Sequence, residues 1–379
     1  MASISKQANG KWKVRYWLDG QQRSATFAKK GQADRFANRV EAGKEEGAWI
    51  DPRRGKTKVG PWADQWFQTK RKLRPTSRAR LKGIVETHIK PAFGRRSLNT
   101  ITHAEISQWV GELEDSGLRP GTVRKVYDAM RQLMKAAVLD RRIPFNPCDS
   151  VELPREDRKE QRFLDAAEID ALVAAMTEVE PRFRAFVLLG VFGGLRFGEL
   201  AGLRRKRINV MRGTVEIAEV LIEVNGELSF GPPKTKNSVR TVPLPRRVVK
   251  ELQNHLDAFV DDDPEALVFT GPKGATLRRA GFHRSWWAPA TREAGLEGFK
   301  VHELRHTFVA LWVDAGENLK SVSVRAGHSS VAFTQDRYGH LYENRDPEIQ
   351  DRLNALLDAR LTSKGRSENV VDHPSAVSA

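Results

Sequence analysis

The chain reads as mainly α with small β-sheets (α+β). Three parts are expected: an N-terminal three-stranded sheet plus helix, a helical module, and a larger mixed α/β domain. Three observations predict this. Asn-Gly and Asp-Gly turns punctuate the first stretch, Pro starts and capping-box patterns punctuate most of the remaining chain, and one strand-rich window, 214–243, interrupts the helices. A length of 379 residues is too great for one ordinary domain. The single Cys, Cys148, excludes an internal disulfide framework and a Cys-based zinc site. The opening MASISKQANGKWK turns polar at once and no run of about twenty apolar residues occurs, so a cytoplasmic protein without a membrane partner is expected.

Asn9-Gly10 and Asp19-Gly20 are hairpin signals, placing strands at about 3–8, 11–18 and 21–27. Alternation puts Trp12, Val14, Tyr16 and Leu18 on one face, ready to pack on a helix near 31–46 through Phe36 and Val40. The other face carries Lys11, Lys13, Arg15 and Trp17, a cationic ribbon whose shape fits a DNA groove. A linker comes next, at about 51–58.

From 61 to about 140 the pattern is helical. Pro61, Pro75 and Pro120 mark helix starts, and Thr102 to Glu105 is a capping box. Trp109, Val110 and Leu113, then Val123, Val126, Tyr127, Met130, Leu133 and Met134, form apolar stripes. These helices are expected to expose Arg71, Lys72, Arg74, Arg78, Arg80 and Lys82 to a phosphate backbone. The Pro-punctuated, charged stretch 144–162 reads as a linker. The expected divisions are 1–58, 59–150, a linker at 151–164, a domain at 165–361 and a disordered tail at 362–379. Asp165 caps the first helix of that domain, strands fill 214–243, and helices resume from 246 to about 360. The last helix carries Ile349, Leu353, Leu356 and Leu357 at helical spacing.

The net charge of +16 is unevenly spread. Residues 1–58 hold 14 Lys/Arg against 6 Asp/Glu, 59–158 hold 19 against 12, and the remainder hold 31 against 30. Two basic modules joined to a nearly neutral domain point to DNA binding attached to more local chemistry.

That chemistry concentrates in VHELRHTFVALWVDAGENLKSVSVRAGHSSVAFTQDRYGHLY, residues 301–342. His302-Glu303-Leu304-Arg305-His306 matches the H-E-x-x-H zinc-protease pattern. It also reads as His-x-x-Arg, two groups able to meet one anion. The zinc reading needs a third ligand with no clear candidate and leaves the upstream motifs unused. Those are Gly193-Gly194-Leu195-Arg196-Phe197-Gly198-Glu199-Leu200, with an arginine between glycines and Glu199 able to orient it, and Lys234-Thr235-Lys236-Asn237-Ser238-Val239-Arg240 at an expected hairpin tip.

Taken in order, GGLRFGEL, KTKNSVRTVPL, HELRHTF, AGHSS and TQDRYGHLY closely resemble the boxes of the tyrosine recombinase family, the phage integrases within it. The resemblance is strong over about 165–345. It is looser over 61–150, which would be a SAM-like core-binding domain, and over 1–50, which would be an arm-binding sheet. One departure is Ala326, where the family usually has leucine before Gly-His.

The resemblance implies a tyrosine recombinase catalytic domain that breaks and rejoins DNA through a 3′-phosphotyrosine, with no cofactor. It implies Tyr338 as nucleophile (Tyr342, one turn on, being the alternative), Arg196 and Arg305 as the phosphate clamp, His302 and His328 as further donors, and Lys236 as the acid. Lys234 is the alternative acid, Glu199 a supporting residue, and His306 and His340 structural residues. It further implies core and arm attachment sites as double-stranded DNA partners, a homotetramer on DNA, a host DNA-bending protein and a directionality factor, with action at the nucleoid. A type IB topoisomerase and a catalytically silent DNA-binding regulator are the rival functions.

Overall fold

The computed structural model describes residues 2–18, 21–45, 53–156, 161–234, 238–328, 330–342, 350–351 and 354–355. The Asp19-Gly20 turn, Lys236, the apolar positions Ile349, Leu353, Leu356 and Leu357, and the tail at 362–379 therefore lie outside the described residues. The chain divides into two compact units, Met1–Arg158 and Lys159–Ala379.

The first unit opens with an antiparallel sheet of β1 (Ser3–Lys6), β2 (Trp12–Leu18) and β3 (Gln21–Phe27). Register pairs Ile4 with Val14 and Val14 with Ala25, stacking small apolar residues on one face. Gly10 takes a left-handed φ of 77°, so Asn9-Gly10 closes a loop longer than the tightest hairpin, with Gln7 N–H bonded to the Lys11 carbonyl. Helix α1 (Lys30–Glu45) lays Ala33, Phe36, Ala37 and Val40 on Val14 and Tyr16, a stripe at i, i+3, i+4 and i+7. The opposite sheet face is as the alternation predicts: Lys11, Arg15 and Trp17 are exposed, although Lys13 is half-buried. Trp12 is half-buried too, so the core of this module is Val14 and Tyr16.

A separate apolar cluster holds α2 (Val59–Gln68), α3 (Pro75–Ile84), α4 (Lys90–Phe93), α5 (His103–Asp115) and α6 (Pro120–Leu139) together. Pro75 and Pro120 sit at helix starts, where a missing N–H costs nothing. Helix α2 starts earlier than Pro61, at Val59, and tolerates the proline in its first turn for the same reason. Thr102 and Glu105 make the expected reciprocal capping box. The cation expectation needs correcting. Arg71, Lys72 and Arg74 lie in the turn between α2 and α3, not on helices, though all are exposed. Arg80 is exposed on α3, while Arg78 is half-buried with its guanidinium 4.8 Å from the Phe67 ring centre. The linker also shrinks. Ile143 and Cys148 are buried in this core and Val151 and Leu153 pack against it, because the Tyr127 hydroxyl donates to the Cys148 carbonyl and pins the segment. At the other end, Leu164 is buried in the second unit.

The second unit begins with α7 (Ala166–Val179), capped reciprocally by Asp165 and Glu168, then α8 (Arg184–Gly193) and the short α9 (Phe197–Ala201). Strands β4 (Ile208–Asn209), β5 (Thr214–Ile217) and β8 (Arg240–Pro243) form one sheet, and β6 (Val220–Val224) and β7 (Glu227–Gly231) form another. Asn225 and Gly226, at φ 51° and 84°, close the β6–β7 hairpin as a two-residue turn with both centres left-handed. Consequently the lysine segment is not a hairpin tip. It crosses from β7, whose partner is β6, to β8, whose partner is β5. Pro232-Pro233 ends β7 there, because proline cannot donate to the ladder. After α10 (Arg246–Phe259) the expected continuous helices are interrupted over 260–278, and α11 (Arg279–Phe282), α12 (Ala288–Glu293), α13 (Glu303–Asp314), α14 (Leu319–Ala326) and α15 (Val331–Tyr338) complete the described unit. Helix α8 packs on both α7 and α13, and this core brings the two ends of the unit together.

Candidate active site

The site starts from a glycine. Helix α8 ends at Gly194, left-handed at φ 63°, where a Cβ would meet the Phe308 ring at 2.5 Å. Only glycine combines that conformation with that approach. The turn aims the Gly194 carbonyl at two cations: Arg305 Nη1 donates to it at 2.8 Å and Arg240 Nη2 at 3.5 Å. Arg196 then caps α9, its Nη1 donating to Glu199 Oε1 at 2.7 Å and its Nη2 to the Gly327 carbonyl at 3.1 Å.

Glu199 is the hub. Besides Arg196 it pairs with Arg240 at 3.0 Å, and it is only 3% exposed. Burial alone would push its carboxyl up, but Arg240 and then Arg196 outweigh that and hold it down to about 2. Arg240 also donates to the carbonyls of Arg325 and Ser238. Arg305 lies on α13, 2% exposed. Burial, then Arg196 and Arg240, lowers its affinity for a proton well below the ordinary arginine range. Its Nη2 is buried and has no hydrogen-bond partner among the described residues. Two guanidiniums therefore pair with one carboxylate, and a third, that of Arg305, shares the Gly194 carbonyl with Arg240 and carries a donor with no partner among the described residues.

The aromatic half of the site adjoins it. Gly327, left-handed at φ 61°, ends α14 and turns the chain into His328. His328 Nδ1 pairs with Thr334 Oγ1 at 2.8 Å, leaving Nε2 for another partner, and its ring stacks on Tyr338 with centres 6.2 Å apart and an interplanar angle of 5°. The Tyr338 hydroxyl is hydrogen-bonded to His306 Nδ1. His302, at the start of α13, meets the His306 ring edge-on at 5.2 Å. Desolvation, reinforced for His302 and His328 first by Arg305, lowers these imidazoles to about 4 at His302 and about 3 at His328. His306 is lowered to about 4 by desolvation and then His302. All three are neutral at pH 7. Burial pushes the Tyr338 phenol up to about 12.

The structure thus gathers Arg196, Glu199, Arg305, His302, His328 and Tyr338 in one region. Lys236 lies outside the described residues, and Lys234, the alternative acid, is exposed at the last described position before it. Two participants escape a reading of the motifs alone. Arg240 stands in one of them only as a residue after the lysines, and His306 reads there as structural. His306 has a visible signal, its i+4 spacing from His302 on one helix face; Arg240 has none. Within the H-E-x-x-H stretch, His306 Nδ1 meets the Tyr338 hydroxyl, and Glu303 accepts from the Lys300 amide at 2.5 Å.

Residues 162–345 match the phage integrase family, and residues 59–113 match the N-terminal SAM-like domain of phage integrases. The chain belongs to the phage integrase (tyrosine recombinase) family. It is similar to the ICEBs1 integrase of Bacillus subtilis, 28% identical over 284 residues, which span 73% of this chain and 77% of that protein. It is also 27% identical over 304 residues to a putative prophage phiRv2 integrase of Mycobacterium tuberculosis, covering 79% of this chain and 78% of the relative. Among solved structures, the Tn1549 transposon integrase with a circular intermediate DNA aligns at TM-score 0.68 and 19% identity, over 78% of this chain and 99% of that one. A lambda integrase dimer bound to a core site aligns at TM-score 0.58 and 16% identity, over 90% and 95%. The integrase is a site-specific DNA recombinase, rather than the DNA-relaxing enzyme or silent regulator that the sequence left as rivals. No helix among its described residues is long and apolar enough to cross a membrane.

Proposed function

We propose that this integrase inserts and excises the DNA of a phage or mobile element through a 3′-phosphotyrosine formed on Tyr338. One observation carries the assignment: the buried Nη2 of Arg305, without a partner among the described residues, beside the Arg196–Glu199–Arg240 network. A buried unpaired donor costs about 1–3 kcal/mol, more when charged, and a phosphate oxygen would satisfy it. In this reading Arg196 and Arg305 hold the non-bridging oxygens, where charge builds in the transition state. Neutral His302 and His328 add N–H donors. The phenol oxygen forms a bond to phosphorus while the bond to the 5′-oxygen breaks, and Lys236 gives that oxygen its proton. The 5′-hydroxyl of a partner strand reverses the step, so bond energy is kept.

The other modules extend the reading. The ribbon of Lys11, Lys13 and Arg15 binds arm DNA, and the helical module, with Arg71, Lys72, Arg74, Arg78 and Arg80, holds the core site. Two tethered DNA contacts raise effective concentration without new bonds. The lambda integrase relative solved as a tetramer on a Holliday junction supports a homotetramer here. The segment bearing Ile349, Leu353, Leu356 and Leu357 docks on a neighbouring protomer, and a host DNA-bending protein and a directionality factor complete the assembly at the nucleoid.

A nicked suicide duplex carrying the core site tests the assignment. The full chain should form a covalent protein–DNA adduct, Tyr342→Phe should keep it, and Tyr338→Phe should bind DNA without forming it. An adduct that survives in Tyr338→Phe and disappears in Tyr342→Phe would move the nucleophile by one turn.

A further inference from the structure

Tyr338 has to lose a proton to attack, and the residues named so far do not take it. Arg196 and Arg305 are cations without a lone pair to offer, Lys236 is assigned to the other oxygen, His328 Nδ1 is occupied by Thr334, and neither His328 Nε2 nor His302 is hydrogen-bonded to the hydroxyl. Tyr338 is 1% exposed, so bulk water does not reach its hydroxyl in this conformation. A buried hydroxyl proton needs an acceptor. Among the described residues the hydroxyl makes one hydrogen bond, to His306 Nδ1.

From this geometry we infer that His306 is a catalytic residue of the integrase: its Nδ1 accepts the Tyr338 proton during strand cleavage and returns it during ligation. The inference rests on Tyr338 being the nucleophile.

The arrangement around His306 fits the role. It comes directly after Arg305 on α13, so the residue that clamps phosphate and the residue that holds the nucleophile share one rigid helix. The imidazole is 6% exposed and walled by the His302 ring on one side and Tyr338 on the other, which restricts it to one orientation. His306 is neutral at pH 7, and in the tautomer with its proton on Nε2 the Nδ1 lone pair accepts from the Tyr338 hydroxyl. The cations and burial that depress its basicity are opposed once a phosphate anion enters, since a nearby negative charge favours the protonated imidazole. Burial of Tyr338 is not peculiar to it. Arg305 is covered to a similar degree, at 2% exposed.

The step balances. The phenol O–H bond breaks as the oxygen–phosphorus bond forms, and the proton moves to Nδ1. The bond from phosphorus to the 5′-oxygen breaks, and that oxygen takes a proton from Lys236. In ligation the 5′-hydroxyl returns its proton to the lysine, and the departing phenolate recovers its own from His306.

Single-turnover cleavage of the nicked core duplex by the full chain tests this. His306→Ala should bind core DNA as tightly as the parent and form adduct about 10²–10⁴-fold more slowly, the usual contribution of a positioned base. His306→Asn, which keeps an oxygen acceptor and is the second variant should the alanine fail to fold, should fall between the two. A duplex with sulfur at the 5′-bridging position needs no leaving-group proton. It should rescue Lys236→Ala and leave His306→Ala slow. Replacing Tyr338 by a fluorotyrosine, whose phenol ionises more readily, should recover much of the loss in His306→Ala and change the parent little. Parental or faster cleavage by His306→Ala, rescue of that variant by the sulfur substrate, or no recovery with fluorotyrosine would each overturn the assignment. Adduct formation by Tyr338→Phe would instead overturn the nucleophile on which it rests.

Discussion

The two units of this integrase handle positive charge in opposite ways. The first carries most of the net charge, with 33 Lys/Arg against 18 Asp/Glu over residues 1–158, and spreads much of it over exposed side chains such as Lys11, Arg15, Arg71, Lys72, Arg74 and Arg80. The second is nearly neutral, yet it pairs Arg196 and Arg240 with Glu199 and brings Arg305 onto the Gly194 carbonyl that Arg240 shares, with Arg240 and Arg305 buried. Exposed cations gain little from any one contact and are screened by salt. Buried ones act at low dielectric and are held without reorganisation. In the proposed function, net charge would mark where DNA is gripped, and local desolvated charge where it is cut.

The sharpest break of this contrast is Arg305→Ala. Losing one fixed donor set to the transition state should slow adduct formation by about 10²–10³-fold or more, while core-DNA affinity changes far less. Arg305→Lys should stay slow, because a point ammonium cannot span both the Gly194 carbonyl and a phosphate. Cleavage within tenfold of the parent, measured in single turnover, would remove Arg305 from the clamp.

Glu199→Ala breaks the network from its centre. It leaves buried Arg240 without its carboxylate, and removing one partner of a buried pair costs about 3–5 kcal/mol. Urea unfolding of the catalytic unit's transition should show that loss; a change under about 1 kcal/mol would make Glu199 a bystander.

Acid should expose the same burial more gently. His306 and His328 have folded-state values of about 4 and about 3, below the ordinary 6.5, so the unfolded chain takes up protons first. Their contribution is intact above about pH 6.5 and is lost as pH falls from there toward about 4 and then 3, at up to about 1.4 kcal/mol per pH unit for each ring. Glu199, held at about 2, stays ionised throughout that window. His306→Gln should flatten part of the slope in a series of unfolding curves, and an unchanged slope would contradict the burial argument.

The smallest effects belong to the ribbon. Lys13→Ala or Arg15→Ala should weaken arm-DNA binding and lower the salt slope by roughly one unit for each phosphate no longer neutralised, leaving core cleavage unchanged. Tyr16→Ala, by contrast, removes the buried centre of that module and should abolish arm binding through unfolding. Equal salt slopes in the parent and Arg15→Ala would take that residue off the DNA.

What the sequence alone determined is what depends on neighbours along the chain. Alternation in residues 12–18 sorted Val14 and Tyr16 from Arg15 and Trp17, and caps at Thr102 and Asp165 and the prolines at 75 and 120 marked helix ends, because each acts within one turn or one strand. The reactive types were legible too, since Arg196, His302, Arg305, His328 and Tyr338 stand in motifs of fixed order. Tertiary structure decided the rest. The lysine segment proved to join two sheets because strand partners are chosen across the fold, not along it. Arg240 became the second partner of Glu199 across 41 residues, and His306 met Tyr338 across 32, pairings that no local spacing encodes. Packing of α8 on α13, around a glycine turn with room for the Phe308 ring, set the depth at which these groups are buried. That depth leaves an Arg305 donor without a partner among the described residues and the tyrosine hydroxyl bonded to a single imidazole.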